Sequence, residues 1–296
     1  MSDKKRISFK YRSGAAALRS LSDGTAYFAK PSQLNDSLEA KFVLPERTTY
    51  AEKLSEVLSQ LAEERGAAYR FEPDPDFAEE VERDLAQESI AFLRQCEQVG
   101  IYSCARRPDN QPMWAYYCED SKGVCFEFEW PEDVLKEYSL LPTFVDYSDK
   151  PRIHDRFDDM QQEVRALAKK QPDWSVEDLF RASLRHEFTM HWMVRSMGRA
   201  VSTKHADWAH ESELRMVSPK AGALPILKRL LKRVYFTRTD FPEWGPIMML
   251  LHQLYPTVEL AEVRFSHVEP VVSVVPMAKR LVPVSPTPDH PQASGR

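Results

Sequence analysis

The chain is poor in glycine, with nine in 296 residues. Neither Gly-x-Gly-x-x-Gly nor Gly-x-x-x-x-Gly-Lys-Ser/Thr occurs, which excludes a Rossmann fingerprint and a P-loop. A nucleotide used by this protein is therefore not held in a Rossmann or P-loop site. Cysteine is scarce as well. Cys96, Cys104, Cys118 and Cys125 form no Cys-x-x-Cys, which excludes a zinc ribbon and a redox dithiol. A Gly-x-Ser-x-Gly nucleophile elbow is also missing. No apolar run approaches the roughly 18 residues of a membrane-spanning helix. The first residues, Met1-Ser-Asp-Lys-Lys-Arg, lead into Ile7-Ser-Phe-Lys-Tyr and not into the apolar stretch of a signal peptide. Charge of one sign is not in excess: 40 Lys+Arg against 45 Asp+Glu leave a net −5. That balance gives no global footprint for nucleic acid. Together these features predict a cytoplasmic protein with no membrane partner.

Metal-ligand spacings are weak. His186 and His191 are five apart, about 500° of helix, so the two rings do not face together. His205, Asp207 and His210 are close in sequence but irregularly spaced. No metal site is predicted.

Hydrophobic residues make up 43% of the chain, enough for one large domain, predicted over 1–282. Residues 283–296 are Pro/Ser-rich and predicted to be a disordered tail. Short strands are predicted at Ile7–Arg12, Ala26–Ala29, Ile101–Cys104, Val124–Glu129, Pro142–Tyr147, Glu259–Ser266 and Val271–Val275. Two helical blocks interrupt them at about 49–99 and 155–199, with Leu54, Val57, Leu58 and Leu61 marking a helical face in the first. A basic amphipathic run is read at Ile226–Val234. Strands and helices do not alternate regularly, so the predicted class is α+β, with a mixed, mainly antiparallel central sheet and two helical insertions.

The segment richest in chemistry is Lys204 to Val217. Read as a strand, it places Glu211, Glu213 and Arg215 on one face, with i and i+2 about 6.5–7 Å apart. Paired acids on a rigid element suit chemistry on a polar substrate; a solvated charged face gives the same pattern. Trp114 and Tyr116 combine a ring with a polar handle, fit to line a cleft as well as to fill a core. Arg12 ends the first strand, where a guanidinium fork matches two phosphate oxygens.

Five motifs occur in order. They are Lys10-Tyr11-Arg12, then Tyr27-Phe28 through Asn35-Asp36-Ser37-Leu38-Glu39, then Met113-Trp114-Ala115-Tyr116-Tyr117 through Gly123-Val124-Cys125-Phe126-Glu127-Phe128. Val145-Asp146-Tyr147 and Lys204 through Arg215 complete the set. The order resembles the bacterial and phage domain-of-unknown-function family 2971. Ser37 stands where that pattern has Pro, and Lys122 where it has His. The same order is similar to that of the ADP-ribosyltransferases, whose split sheet binds NAD without a Gly-rich loop. That resemblance implies NAD as substrate, with Arg12, Tyr11, Tyr27, Trp114 and Tyr116 as candidate contacts. It implies Glu213 as the acid facing the nicotinamide ribose and Glu211 as base or acceptor-orienting group. The expected setting is a toxin or anti-phage effector, with a protein or nucleic-acid acceptor and an antitoxin or immunity protein as partner. Two alternatives remain. One is a non-catalytic binding or regulatory module in which Glu211, Glu213 and Arg215 form structural salt bridges. The other is a metal-dependent nuclease in which Asp36, Glu39, Glu211 and Glu213 hold Mg²⁺ through oxygen ligands.

Overall fold

The computed structural model describes residues 6–35, 50–66, 79, 83, 94–149, 156–266 and 270–275. Along the chain the strands are β1 Arg6–Ser13, β2 Ala26–Phe28, β3 Gly100–Ala105, β4 Gly123–Trp130, β5 Leu141–Phe144 and β6 Asp146–Ser148. They continue with β7 Thr203–His205, β8 Glu213–Ser218, β9 Gly222–Leu224, β10 Leu231–Phe236, β11 Glu259–Phe265 and β12 Pro270–Val275. The pairings are mainly antiparallel, and the class is α+β as expected. The chain divides into two compact units. One unit comprises Met1–Gly24, Arg107–Trp130 and Leu227–Arg296, and the other Thr25–Arg106 and Pro131–Ile226. The tail 283–296 lies outside the described residues, as does most of 67–93 in the helical block expected at about 49–99.

In the first unit the strands lie in the order β12-β11-β10-β4-β1. β4 is central because its run Val124-Cys125-Phe126 is apolar on both faces and wholly buried. It pairs antiparallel with β1, Tyr11 opposite Cys125, and antiparallel with β10, Tyr235 opposite Cys125. The helix Gly14–Asp23 follows β1 directly. Ser13 caps it by accepting from the Ala16 N–H at 3.3 Å, and Gly24 ends it at φ 68, where a side chain would be strained. That helix packs on Trp244–Leu254, and the Tyr255 hydroxyl donates to the Leu21 carbonyl at 2.8 Å. The basic run Ile226–Val234, expected to be one amphipathic element, breaks instead. A single turn, Leu227–Leu230, gives way to β10. The reason is local: Val234-Tyr235-Phe236 is β-branched and aromatic, and it completes the ladder on β4.

In the second unit β3, β8 and β5 form an antiparallel set, with Ser103 and Thr143 flanking Arg215. The run Pro142–Tyr147, expected as one strand, splits at Val145 into β5 and β6. β6 leaves β8 to pair in parallel with β7. Both helical insertions contribute to one apolar cluster. Leu54, Val57 and Leu58 from Tyr50–Glu64 meet Met160 and Val164 from Arg156–Lys170, Leu179 from Val176–Ser183 and Met193 from His186–Val201. Each such side chain, fully buried, contributes about 1.5–3 kcal/mol.

Gly123 shows why the third motif carries glycine. A Cβ there would lie 2.2 Å from the Arg12 carbonyl oxygen, an atom of the paired backbone that cannot turn aside. Gly123→Ala is expected to lower stability by about 1–3 kcal/mol through this clash, measured as a drop in the denaturant midpoint. An unchanged midpoint would show that the β1–β4 ladder yields freely.

Candidate functional site

The last motif does not form the single strand that its alternation suggests. After the helix His186–Val201, β7 carries Lys204 inward. A 3₁₀ turn spans Ala206–Glu211, and Ser212 follows in the left-handed region at φ 47, ψ 57. β8 begins only at Glu213. Glu211 is thus a turn residue, and the shared strand face holds Glu213 and Arg215 but not Glu211. A left-handed serine costs energy, and the contacts on either side of it hold it there.

The turn nevertheless brings both acids to one place. The Lys204 ammonium donates to Glu211 Oε2 at 2.5 Å and to Glu213 Oε1 at 2.7 Å. Arg215 Nε donates to Glu213 Oε2 at 2.8 Å, and its Nη1 donates to the Val201 carbonyl at 2.6 Å. Val201 is the last residue of its helix, so Arg215 ties a helix C-terminus, where cations are favoured, to the strand. The four side chains are between 1% and 6% exposed, and their two positive and two negative charges balance. The Glu213 N–H donates to the Tyr147 hydroxyl at 2.8 Å. The Trp208 ring lies under the Lys204 ammonium, 4.7 Å from centroid to Nζ.

Titration in the cluster follows from burial. Desolvation, reinforced by hydrogen bonding and repulsion from Glu211, pushes Glu213 up to about 7 against the pull of the Lys204 ammonium. For Lys204, burial favours the neutral form, but the Glu213 and Glu211 carboxylates outweigh it and raise the pKa. Two buried acids share the Lys204 ammonium, so Glu213 is driven towards its protonated form while Lys204 stays charged near neutrality. The Tyr147 hydroxyl is pushed up to about 12, first by burial.

The remaining predicted contacts separate by environment. Tyr11 is buried in the first unit; its hydroxyl donates to the Arg107 carbonyl at 2.9 Å and accepts from the Asn110 N–H at 3.2 Å. Trp114 is fully buried, donates to the Pro108 carbonyl at 2.8 Å, and meets Tyr11 edge-on at 5.4 Å. Tyr11 and Trp114 are therefore core residues and offer no ring face to a ligand, a correction to the cleft role expected of them. Arg12, half-buried, sits opposite Val124 at the end of β1. Tyr116 is 73% exposed and Tyr27 49% exposed, the latter donating to Gln33 Oε1 at 3.1 Å. Asp36 and Glu39 lie outside the described residues. His205 Nδ1 is 3.1 Å from Asp207 Oδ2, and His210 Nδ1 is 3.0 Å from the Asp207 carbonyl. No group of three or more metal-ligating side chains gathers among the described residues.

Arg215, expected beside the two acids, is joined in the site by Lys204, Tyr147 and Trp208, none of which the sequence singles out as a contact. All four stood inside quoted motifs, and the signal was their company: opposite charges flanking Glu-x-Glu.

Fold and cluster define a mixed α+β protein built around a buried ion-pair network. Residues 113–216 match the family model described as Protein of unknown function (DUF2971), which shows the resemblance over that stretch. The match holds Trp114, Tyr116, Tyr147, Lys204, Glu211, Glu213 and Arg215; the motifs at 10–12 and 27–39 lie outside it. No curated protein and no solved structure gives a match. No helix among the described residues is long and apolar enough to cross a membrane.

Two outcomes follow from the cluster. Arg215→Met leaves Glu213 and the Val201 carbonyl without this partner in a buried site, and is expected to lower unfolding free energy by about 3–5 kcal/mol. A loss under about 1 kcal/mol would mean the pairs are hydrated and weak. Glu213 also imposes a pH dependence. Its folded pKa of about 7 lies above the 4.5 of an unperturbed Glu, so its contribution is complete below 4.5 and is lost as pH rises through 7. Between those values stability is expected to fall by at most about 1.4 kcal/mol per pH unit, and Glu213→Gln should remove that slope. Equal slopes in the two proteins would place the titration elsewhere.

Proposed function

We propose that the chain is an ADP-ribosyltransferase-like enzyme with NAD as substrate, Glu213 facing the nicotinamide ribose and Glu211 serving as base or acceptor-orienting group. The observation that carries this reading is the placement of Glu213. It is the first residue of a wholly buried late strand and meets a second carboxylate across a tight turn. A carboxylate held by backbone rather than by a free loop is pre-organised, and in a buried site it stabilises developing positive charge strongly. The reaction breaks the ribose C1′–nitrogen bond. Neutral nicotinamide leaves with the bonding electrons, positive charge spreads over C1′ and the ring oxygen, and the acceptor nucleophile adds while its proton passes to Glu211. A buried cluster of four ionisable groups is poor value for stability alone, which also favours a chemical role. Of the candidate NAD contacts, Tyr27 lies in the same compact unit as Glu213. The acceptor is a protein or a nucleic acid, and the setting is a toxin or anti-phage effector, in the cytoplasm, held by an antitoxin or immunity protein.

A second reading has its own observation. Arg215 joins the Glu213 carboxylate to the last carbonyl of the helix His186–Val201, as a structural clasp would. On that reading the chain is a non-catalytic binding or regulatory module.

Incubation of the full chain with labelled NAD and whole-cell lysate separates the two. Label transfer or nicotinamide release is expected, falling about a hundredfold or more in Glu213→Gln, the scale for losing one transition-state stabiliser. A Glu213→Gln protein that turns NAD over at the original rate would sink the transferase reading. Absence of turnover in the unmodified chain, with stability lost in the variant, would establish the clasp.

A further inference from the structure

Glu211 and Glu213 carry the chemistry of the proposed function, yet both are closed off by the chain itself. The Lys204 ammonium lies against Glu211 Oε2, Glu213 Oε1 and the face of Trp208. Two carboxylates and an indole face are the surroundings that select an organic cation, since an electron-rich ring and negative oxygens both attract diffuse positive charge. In NAD the nicotinamide ring is such a cation until the glycosidic bond breaks. The ammonium therefore stands where a cationic ring would gain the same contacts.

Of the two cations in the cluster, Lys204 is the one suited to leave. Arg215 is anchored at two points by its planar fork, one of them the backbone carbonyl of Val201. Lys204 is a point charge on a flexible stem and rises from a three-residue strand next to the 3₁₀ turn. Without it, the two buried carboxylates lose the cation that both of them contact. A ligand cation makes good that loss, so departure of the lysine and arrival of the ring are coupled.

We propose that Lys204 is an autoinhibitory plug: its ammonium closes the Glu211–Glu213–Trp208 cage, and a cationic ring of the pyridinium class must displace it to reach Glu213. This rests on the transferase reading and adds the control of its site.

The test uses the full chain and 1-methylnicotinamide, a pyridinium cation with no ribose to transfer. Calorimetric titration compares the unmodified protein with Lys204→Met and Lys204→Arg. Lys204→Met is expected to bind about tenfold tighter or more, the scale of a desolvated cation–π contact, and Lys204→Arg to stay at the original affinity. A Lys204→Met protein that unfolds cooperatively yet binds no tighter would overturn the proposal. A second measurement needs no variant. The rate of reductive methylation of Lys204, followed by mass spectrometry, is expected to rise when the probe is present, because a displaced amine is exposed. An unchanged rate at the highest soluble probe concentration also overturns it. The two ideas fail separately. Tighter probe binding in Lys204→Met without NAD turnover keeps the plug and removes the transferase. NAD turnover that depends on Glu213, with no gain in binding for Lys204→Met, keeps the transferase and removes the plug.

Discussion

Arg215 is 1% exposed, and a guanidinium so deep must have its charge and its donors answered inside the protein. Glu213 answers from two positions earlier on the same strand, and the carbonyl of Val201 answers from the end of a helix. Once Glu213 is drawn to Arg215, its other oxygen faces Lys204, and Lys204 in turn draws Glu211 out of the turn. The left-handed Ser212 is a consequence, since the chain must double back for Glu211 and Glu213 to reach one ammonium. β7, the 3₁₀ turn and the start of β8 thus sit where two buried cations and two buried acids neutralise one another.

The same network creates a tension between holding a site and using it. Hydrogen bonds that fix Glu213 also occupy both of its oxygens. Burial that raises its proton affinity also keeps solvent away. A purely structural clasp has no reason to place a second acid beside the first, because one carboxylate and one guanidinium already balance. The added pair, Glu211 with Lys204, is therefore the part of the cluster that structure alone explains least.

Much of the fold was legible in the sequence because it depends on local pattern. β1, β4 and β11 follow period-two alternation or unbroken apolar runs, and the helices Tyr50–Glu64 and Arg156–Lys170 follow their spaced leucines, valines and methionine. Errors arose where partners distant in sequence decided the outcome. Leu231–Phe236 joined a sheet because β4 offered it a ladder. Val145 broke a strand by turning from β8 towards β7. Tyr11 and Trp114 have the polar handles of ligand-binding aromatics, but Arg107, Pro108 and Asn110 satisfy those handles from one loop, and nothing in the local pattern reveals that. The site was half legible. Glu213 and Arg215 share a face as alternation requires, whereas Glu211 joins them only through a left-handed serine that no alternation rule foresees.

The first unit is threaded from three separated stretches, with the whole of Pro131–Ile226 between its second and third. During synthesis β4 can zip onto β1 as soon as it emerges, but its opposite edge must wait for β10. Until then Val124, Phe126 and Phe128 lie beside a row of unpaired amides and carbonyls, the kind of edge that recruits foreign strands. The intervening stretch therefore sets a delay on the ribosome: that edge stays open to the wrong partner for as long as Pro131–Leu230 takes to be made.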